Sequence, residues 1–344
     1  MKNLHFVGDY IKRFFYKYLK EEKGLSNNTL FSYRDAIKLL LRFSAQYLKK
    51  TLDKLTIEDL DIKVIFAFLN SLENQRGCSS STRNLRLAAI RAFFDFVARE
   101  EPTLLSQCRN IRSISQKKIE HKMIDYLDKE EMNYFLNSID YNSLTGVRDK
   151  AMCLILYNTG ARVQEIVNLK ICDLRLDAAG QVKLLGKGNK QRACPLWPET
   201  IEAIKKYINH SQRKDLPNDN LFLNANNKPI TRFGIGYLIK KYARKAAEKC
   251  PSINSKTVGP HTLRHSTAMH LIQSGNDINM VSYWLGHSSI NTTHIYIEID
   301  MEMKRKMLDD CESVAKLQKS KTPKWLEPDI FQWLNNLSKV GKVM

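Results

Sequence analysis

Two histidines and an arginine stand close together near the end of the chain. The stretch "PHTLRHSTAMH" places His261, Arg264 and His265 within five positions. On a helix, His261 and Arg264 are three residues apart and therefore lie side by side. A guanidinium group offers a fork of donors that suits a phosphate, and an imidazole can move a proton. These residue types indicate chemistry on a phosphate ester.

Three other places add functional groups that packing does not require. In "TGARVQE", Arg162 follows a glycine at the start of a predicted helix, and Glu165 lies three residues on, where it can orient the guanidinium. Lys187 is expected at the tip of a hairpin. His287 follows a Leu-Gly turn, and Tyr296 offers a nucleophilic oxygen. Together with the first cluster, these groups suit metal-free attack on a phosphodiester, with the developing charge stabilised by cations.

The sequence lacks the residues that other kinds of phosphate chemistry require. The sequence has no carboxylate cluster for Mg²⁺, no P-loop, and no HExxH or cysteine partner at zinc-ligand spacing. We therefore expect neither a metal nor a cofactor. Each group also has an ordinary interpretation, since Lys187 alone would be a turn lysine and Tyr296 is one of 14 tyrosines.

The first hundred residues are predicted to be helical. One helix opens at a capping signal at Ser26, a second is expected from Thr56, and a third runs through "SSSTRNLRLAAIRAFFDFVARE". On the third helix Arg83 and Arg86 share a face, which either grips DNA or is simply solvated. The candidate DNA contacts in this part of the chain are Thr29, Tyr33, Arg83 and Arg86.

The remaining elements follow a stretch without apolar periodicity. Residues 101–121 are basic and begin near a proline, which predicts a linker. After it we expect a helix capped by Asp128, two helices parted at Gly160, and a hairpin around Gly-Lys-Gly-Asn. Further helices are predicted at 199–210 and 231–249, and another in "HTLRHSTAMHLIQSG", which Gly275 closes as a C-cap.

Charge and cysteine content bound the class of protein. The 344 residues carry 55 Lys and Arg against 36 Asp and Glu, a net charge of +19. Residues 1–118 hold 22 basic and 12 acidic side chains, which leaves a net +10 there and +9 in the remainder. A polyanion is the natural partner, and nucleic acid is the commonest one; the alternative is a merely basic soluble protein. Seven scattered cysteines without a CxxC pair favour a reducing compartment, and the charged N-terminus is neither a signal peptide nor a membrane span.

The motifs in their order resemble the tyrosine recombinase (phage integrase) family. They are "TGAR" with the glutamate three residues after its arginine, "GKGNKQR", "HTLRH" and "LGHSSINTTHIY"; "GLSNNTLFSYRDAI" and "SSSTRNLRLAAIRAFFDFV" are similar to that family's N-terminal domain. The resemblance covers roughly residues 10 to 315. It implies that Arg162 and Arg264 clamp the scissile phosphate and that Tyr296 forms a 3′-phosphotyrosine bond.

The same resemblance implies a role for the other three groups. Lys187 would be the general acid on the leaving 5′ oxygen, His261 would assist proton transfer at the nucleophile, and His287 would donate to a non-bridging oxygen. Glu165 would support the site from behind.

The implied fold is mainly α with a small antiparallel sheet. A helical core-binding domain would span 1–105, a basic linker 106–121 and a mixed α/β catalytic domain 122–320, the two domains forming a C-shaped clamp on DNA. Residues 321–344 would be a tail for oligomerisation or self-packing. Only about 25 residues precede "GLSNNTL", too few for an arm-binding domain.

The implied function is site-specific recombination, for integration or excision of a mobile element or for resolution of DNA. The expected partners are double-stranded DNA with inverted-repeat core sites, a homotetramer and accessory DNA-bending proteins, in the cytoplasm at the nucleoid and not at a membrane. A type IB topoisomerase, which shares the pocket, and a DNA-binding regulator that retains the fold are the alternatives. A metal-dependent nuclease is disfavoured by the missing carboxylates.

Overall fold

The computed structural model describes residues 5–119, 124–177, 179–186, 188, 190–211 and 217–286. Close contacts between Cα atoms divide the chain into two units, Met1–Lys122 and Met123–Met344. Among the described residues, no helix is both long and apolar enough to cross a membrane. The predicted tail at 321–344 lies outside the described residues.

The first unit is made of helices around an aromatic core. Its helices are α1 (Val7–Arg13), a π-helical segment (Phe14–Glu22), α2 (Asn27–Leu48), α3 (Ile62–Asn74), α4 (Ser80–Glu100) and α5 (Leu105–Arg112), with 3₁₀ turns at Leu52–Lys54 and Pro102–Leu104. Phe14, Phe93 and Phe96 are buried together at its centre. The predicted starts of α2 and α4 are confirmed, because the hydroxyls of Ser26 and Ser79 accept hydrogen bonds from backbone N–H groups of the first turn.

The predicted start of the second helix at Thr56 is wrong. Helix α3 begins at Ile62, and the Asp61 carboxylate caps it by accepting from the Val64 N–H at 2.8 Å. The Thr56 N–H instead donates to the Asp59 side chain at 3.1 Å, which closes a turn before the helix. Asp59 and Asp61 both accept a hydrogen bond from a backbone N–H group, but only Asp61 caps the helix.

The prediction of an irregular linker after Glu101 is also wrong for its first half. Residues 105–112 form helix α5, and Leu104, Cys108, Ile111 and Ile114 are buried against the first unit's core. The basic side chains of this segment lie on the outside of that helix, so their number concealed its apolar side.

The second unit is mixed, with a small sheet among seven helices of the described residues. The helices are α6 (Lys129–Asn137), α7 (Leu144–Thr159), α8 (Val163–Val167), α9 (Pro198–His210), α10 (Arg232–Ala247), α11 (Pro260–Gln273) and α12 (Ile278–Leu285). The strands are β1 (Leu174–Arg175), β2 (Gln181–Leu185) and β3 (Gln191–Pro195), antiparallel in that order. The predicted hairpin is confirmed, with Val182 opposite Cys194 and Leu184 opposite Arg192; the two-residue strand β1 was not predicted.

Helix α7 is the centre of the second unit. Most of its side chains are buried, and α9 and α11 pack against it. Capping by Asp128 and the break at Gly160 are confirmed, the first by a capping box with Glu131 and the second by a left-handed φ of 59°. The end of α7 therefore lies inside the unit, next to the middle of α11, where the Thr267 hydroxyl donates to the Tyr157 carbonyl at 2.6 Å.

Candidate active site

Arg264 is a buried arginine held by two backbone carbonyls. Arg264 lies one turn into α11, and only 4% of the residue is exposed to solvent. Its Nη1 donates to the Gly160 carbonyl at 2.6 Å, and its Nη2 donates to the Leu285 carbonyl at 2.8 Å. The ends of α7 and α12 thus fix the guanidinium in one orientation.

Arg162 is held at the neighbouring position. It caps the N-terminus of α8, where the Glu165 carboxylate accepts from the Arg162 backbone N–H at 2.9 Å and from Nη1 at 3.0 Å. Its Nη2 donates to the Gly286 carbonyl at 3.1 Å. Residues 285 and 286 are adjacent, with Cα atoms about 3.8 Å apart, so the two guanidinium groups meet consecutive carbonyls of one turn. The two arginines are therefore brought together.

A glycine allows that convergence. Gly160 has a φ of +59°, and a Cβ added there would stand 2.4 Å from Cδ2 of Leu285, the residue whose carbonyl binds Arg264. Only a residue without a side chain fits this close approach in the left-handed region.

His261 shares helix α11 with Arg264 and has a lowered pKa. It lies one turn before Arg264. His261 as a whole is exposed, but neighbouring protein atoms displace water from part of its imidazole ring. That desolvation lowers the pKa of His261 below 6.5, and the positive charges of Arg264 and Arg162 lower it further.

His265 lies beside His261, with ring centroids 6.4 Å apart. Burial, followed by the charges of His261 and Arg264, lowers the pKa of His265 to about 4. Both imidazoles are therefore neutral at neutral pH.

Arg192 is a member of this site that the sequence did not single out. From β3 its Nη1 and Nη2 donate to the two carboxylate oxygens of Glu165, at 3.1 and 2.7 Å. Burial alone would raise the pKa of Glu165, but the hydrogen bonds and charge of Arg192, together with the bonds from Arg162, hold it below its usual value. No local signal marks Arg192, because its partner lies 27 positions earlier in another element.

The other three predicted groups, Lys187, His287 and Tyr296, lie outside the described residues. In the sequence, Lys187 stands between β2 and β3, and His287 directly follows Gly286. Over the part of the chain that the structure describes, no three His, Cys, Asp or Glu side chains come together as a metal site.

The candidate DNA contacts of the first unit differ in exposure. Arg83 is only 3% exposed, and its Nε lies 3.5 Å from the Glu73 carboxylate, so its guanidinium pairs within the first unit. Its contact with DNA stays a prediction. Arg86, Thr29 and Tyr33 are half-buried. The Tyr33 ring lies parallel to the buried Phe14 ring at 6.4 Å, which accounts for part of its burial by packing.

Comparisons with known proteins agree with this geometry. The Phage integrase family matches residues 125–303, and the phage integrase N-terminal SAM-like domain matches residues 11–101. The tyrosine recombinase XerD of Staphylococcus haemolyticus is 38% identical over 300 residues, which cover 85% of this chain and 94% of the relative.

Two solved structures share the fold. The XerH site-specific recombinase bound to a palindromic difH substrate, in a post-cleavage complex, has a TM-score of 0.65 at 24% identity, covering 81% of this chain and 79% of that one. The Tn1549 transposon integrase in complex with transposon right end DNA has a TM-score of 0.65 at 19% identity, covering 88% of this chain and 97% of that one. Since one family spans more than half of the chain and a relative of this similarity spans most of it, the chain belongs to the phage integrase family, the tyrosine recombinases, and is an enzyme that breaks and rejoins DNA.

Proposed function

We propose that this chain is a site-specific recombinase in which Arg162 and Arg264 bind the reacting phosphate and Tyr296 attacks it. The reaction serves the integration or excision of a mobile element, or the resolution of DNA. It needs no metal, because cationic side chains offset the charge that develops on the phosphate.

The convergence of two fixed guanidinium groups is the observation that carries the proposal. Arg162 and Arg264 donate to the carbonyls of residues 286 and 285, and the Glu165 carboxylate and the Gly160 carbonyl hold them from the other side. Donors that are already oriented stabilise a transition state without reorganising at the moment of reaction. Two forked cations at one place suit the two non-bridging oxygens of a phosphodiester.

Each covalent step conserves the phosphodiester's energy. The Tyr296 oxygen attacks phosphorus, the bond to the 5′ oxygen breaks, and a 3′-phosphotyrosine bond forms. Lys187 supplies the proton that the leaving 5′ oxygen takes up, and His287 donates to a non-bridging oxygen. A 5′-hydroxyl from another strand reverses these steps, so the strands are rejoined without ATP.

His261 assists proton transfer at the nucleophile. Its lowered pKa keeps the imidazole neutral at neutral pH, and a neutral imidazole can accept the phenolic proton.

The partners proposed for this reaction are DNA and further copies of the chain. Residues 1–105 would form the core-binding domain and 122–320 the catalytic domain, acting on double-stranded DNA with inverted-repeat core sites at the nucleoid. A homotetramer would hold two duplexes, with residues 321–344 linking protomers or packing on their own, and accessory DNA-bending proteins would assist. The net charge of +19 supports a polyanionic partner.

Substitutions separate the role of the two phosphate-binding arginines from that of Lys187, the proposed general acid. On duplexes selected for binding from a random pool, Arg162→Ala and Arg264→Ala should each slow single-turnover cleavage by roughly 10²–10³-fold or more, since each removes a preorganised donor. Lys187→Ala should be slow on ordinary DNA but recover on a 5′-phosphorothiolate substrate, whose sulfur leaves without protonation.

Lys190→Ala is the matched control, since Lys190 is an exposed lysine of the same loop, and it should cleave at the normal rate. Rescue of the arginine variants by the phosphorothiolate, together with no rescue of Lys187→Ala, would mean that the roles are misassigned.

A further inference from the structure

Two guanidinium groups share one buried carboxylate in the candidate active site. Arg192 and Arg162 both donate to Oε1 of Glu165, at 3.1 and 3.0 Å. Oε2 accepts from Arg192 Nη2 at 2.7 Å and from the Arg162 backbone N–H at 2.9 Å. The side chains of Arg192 and Glu165 are only 10% and 3% exposed, so little water competes for these bonds.

The sharing has an electrostatic consequence for Arg162. A buried carboxylate that paired with Arg162 alone would neutralise the guanidinium and would repel a phosphate. Because Arg192 pairs with the same carboxylate, the side chains of Arg162, Arg192 and Glu165 together carry a net charge of +1. The attraction for a phosphate is thereby preserved next to a carboxylate that fixes the orientation of Arg162.

Arg192 also borders the turn that holds Arg162 from the other side. A Cβ added to Gly286 would lie 3.2 Å from Cδ and from Nη1 of Arg192, and the Gly286 carbonyl is the acceptor for Arg162 Nη2. Arg192 therefore binds one support of the Arg162 guanidinium, the Glu165 carboxylate, and lies next to the other, the Gly286 turn. It reaches them from β3, the strand that follows the loop carrying Lys187.

We propose that Arg192 is a positioning residue for DNA cleavage, which holds Glu165 and the Gly286 turn so that Arg162 meets the scissile phosphate with its charge intact. Arg192 does not itself touch the phosphate in this account. The inference rests on the proposed function, because it acts through Arg162. It requires an arginine, since only a planar fork can donate to both carboxylate oxygens at once.

Arg192→Met tests the proposal by keeping the aliphatic stem and removing the fork. We expect unchanged affinity for the selected DNA and a cleavage rate lower by about 10- to 100-fold, because a small misplacement of a binding group costs up to about 10²-fold. Arg192→Lys restores the charge without the fork and should recover part of the rate.

Arg148→Met is the matched control for loss of a buried ion pair. Arg148 pairs with Asp149 in α7, with side chains 12% and 2% exposed, and it stands twelve residues before Gly160. That spacing places Arg148 about 18 Å along the helix from the site. This variant should lower the melting temperature at least as much as Arg192→Met while cleaving at the normal rate below its melting temperature.

A double-mutant cycle separates positioning from general stability. If Arg192 acts through Glu165 and Arg162, then Arg192→Met should cost almost nothing further in an Arg162→Ala, Glu165→Gln background, where no unpaired carboxylate is left to repel the phosphate. An undiminished rate for Arg192→Met alone, or its full cost in that background, would overturn the proposal. A normal cleavage rate for Arg162→Ala alone would instead contradict the proposed function, so the two failures are distinguishable.

Discussion

His261 has surroundings that keep its imidazole neutral. Water is displaced from part of its ring, and the guanidinium groups of Arg264 and Arg162 oppose a further positive charge. Because its pKa is lowered from 6.5, protonation begins only at a pH below that value. A residue that must take a proton from a phenol benefits from being unprotonated at neutral pH.

We therefore expect the His261 pKa to lie below 6.5 in the free protein. Histidine ring NMR signals, assigned with a His261→Gln variant, give the value directly. Arg162→Ala should move it upward, since one of the opposing charges is removed. The acid limb of the cleavage rate should follow the same titration. A measured His261 pKa at or above 6.5 would contradict this description of the site.

The turn between α7 and α8 determines where Arg264 and Arg162 sit. Gly160 ends α7 in the left-handed region, its carbonyl accepts from Arg264, and Arg162 follows two residues later. The fully buried Leu285 occupies the space where a Cβ of residue 160 would lie. The turn is therefore constrained both in backbone conformation and in space.

Gly160→Ala should lower the free energy of unfolding by about 2–5 kcal/mol, combining about 1–2 kcal/mol for a left-handed alanine with about 1–3 kcal/mol for overpacking. Gly275→Ala is the control, because Gly275 has a φ of +85° but nothing within 4 Å of its Cβ position. It should cost only the first of these contributions. Urea unfolding measures both, and equal losses for the two variants would show that the contact with Leu285 is unimportant.

Local signals in the sequence predicted most elements of the second unit. Asp128, Gly160 and the Gly-Lys-Gly-Asn turn mark helix starts, helix ends and a hairpin by short-range chemistry, and the structure agrees. Helix α5 was not predicted although Leu104, Cys108 and Ile111 stand at helical spacing, because the basic residues of the segment concealed this apolar side.

Such short-range signals did not predict contacts between elements that are distant in the sequence. Arg83 and Arg192 are each paired with a glutamate from another element, Glu73 and Glu165, and the sequence analysis predicted neither pair. Spacing on one helix predicted the pair of Glu165 with Arg162, but it does not show which carboxylate an arginine from a distant element will meet.

The chain carries an excess of positive charge along its whole length, which favours binding to a polyanion. Its net charge of +19 is divided almost evenly between residues 1–118 and the remainder. Long-range attraction of this kind raises the rate of encounter with DNA and falls with salt, but it does not distinguish a protein that only binds DNA from one that breaks it. That distinction depends on whether a covalent bond forms between the two.

Trapping that bond is the most direct test of metal-free attack by Tyr296. A duplex nicked near the cleavage position should leave wild-type protein attached to DNA on a denaturing gel, in the presence of EDTA, and peptide mass spectrometry should place the link at Tyr296. Tyr296→Phe should bind the same duplex with similar affinity and form no adduct, because only the phenolic oxygen is lost. A covalent product from Tyr296→Phe, or an adduct that forms only when divalent metal is added, would contradict the account.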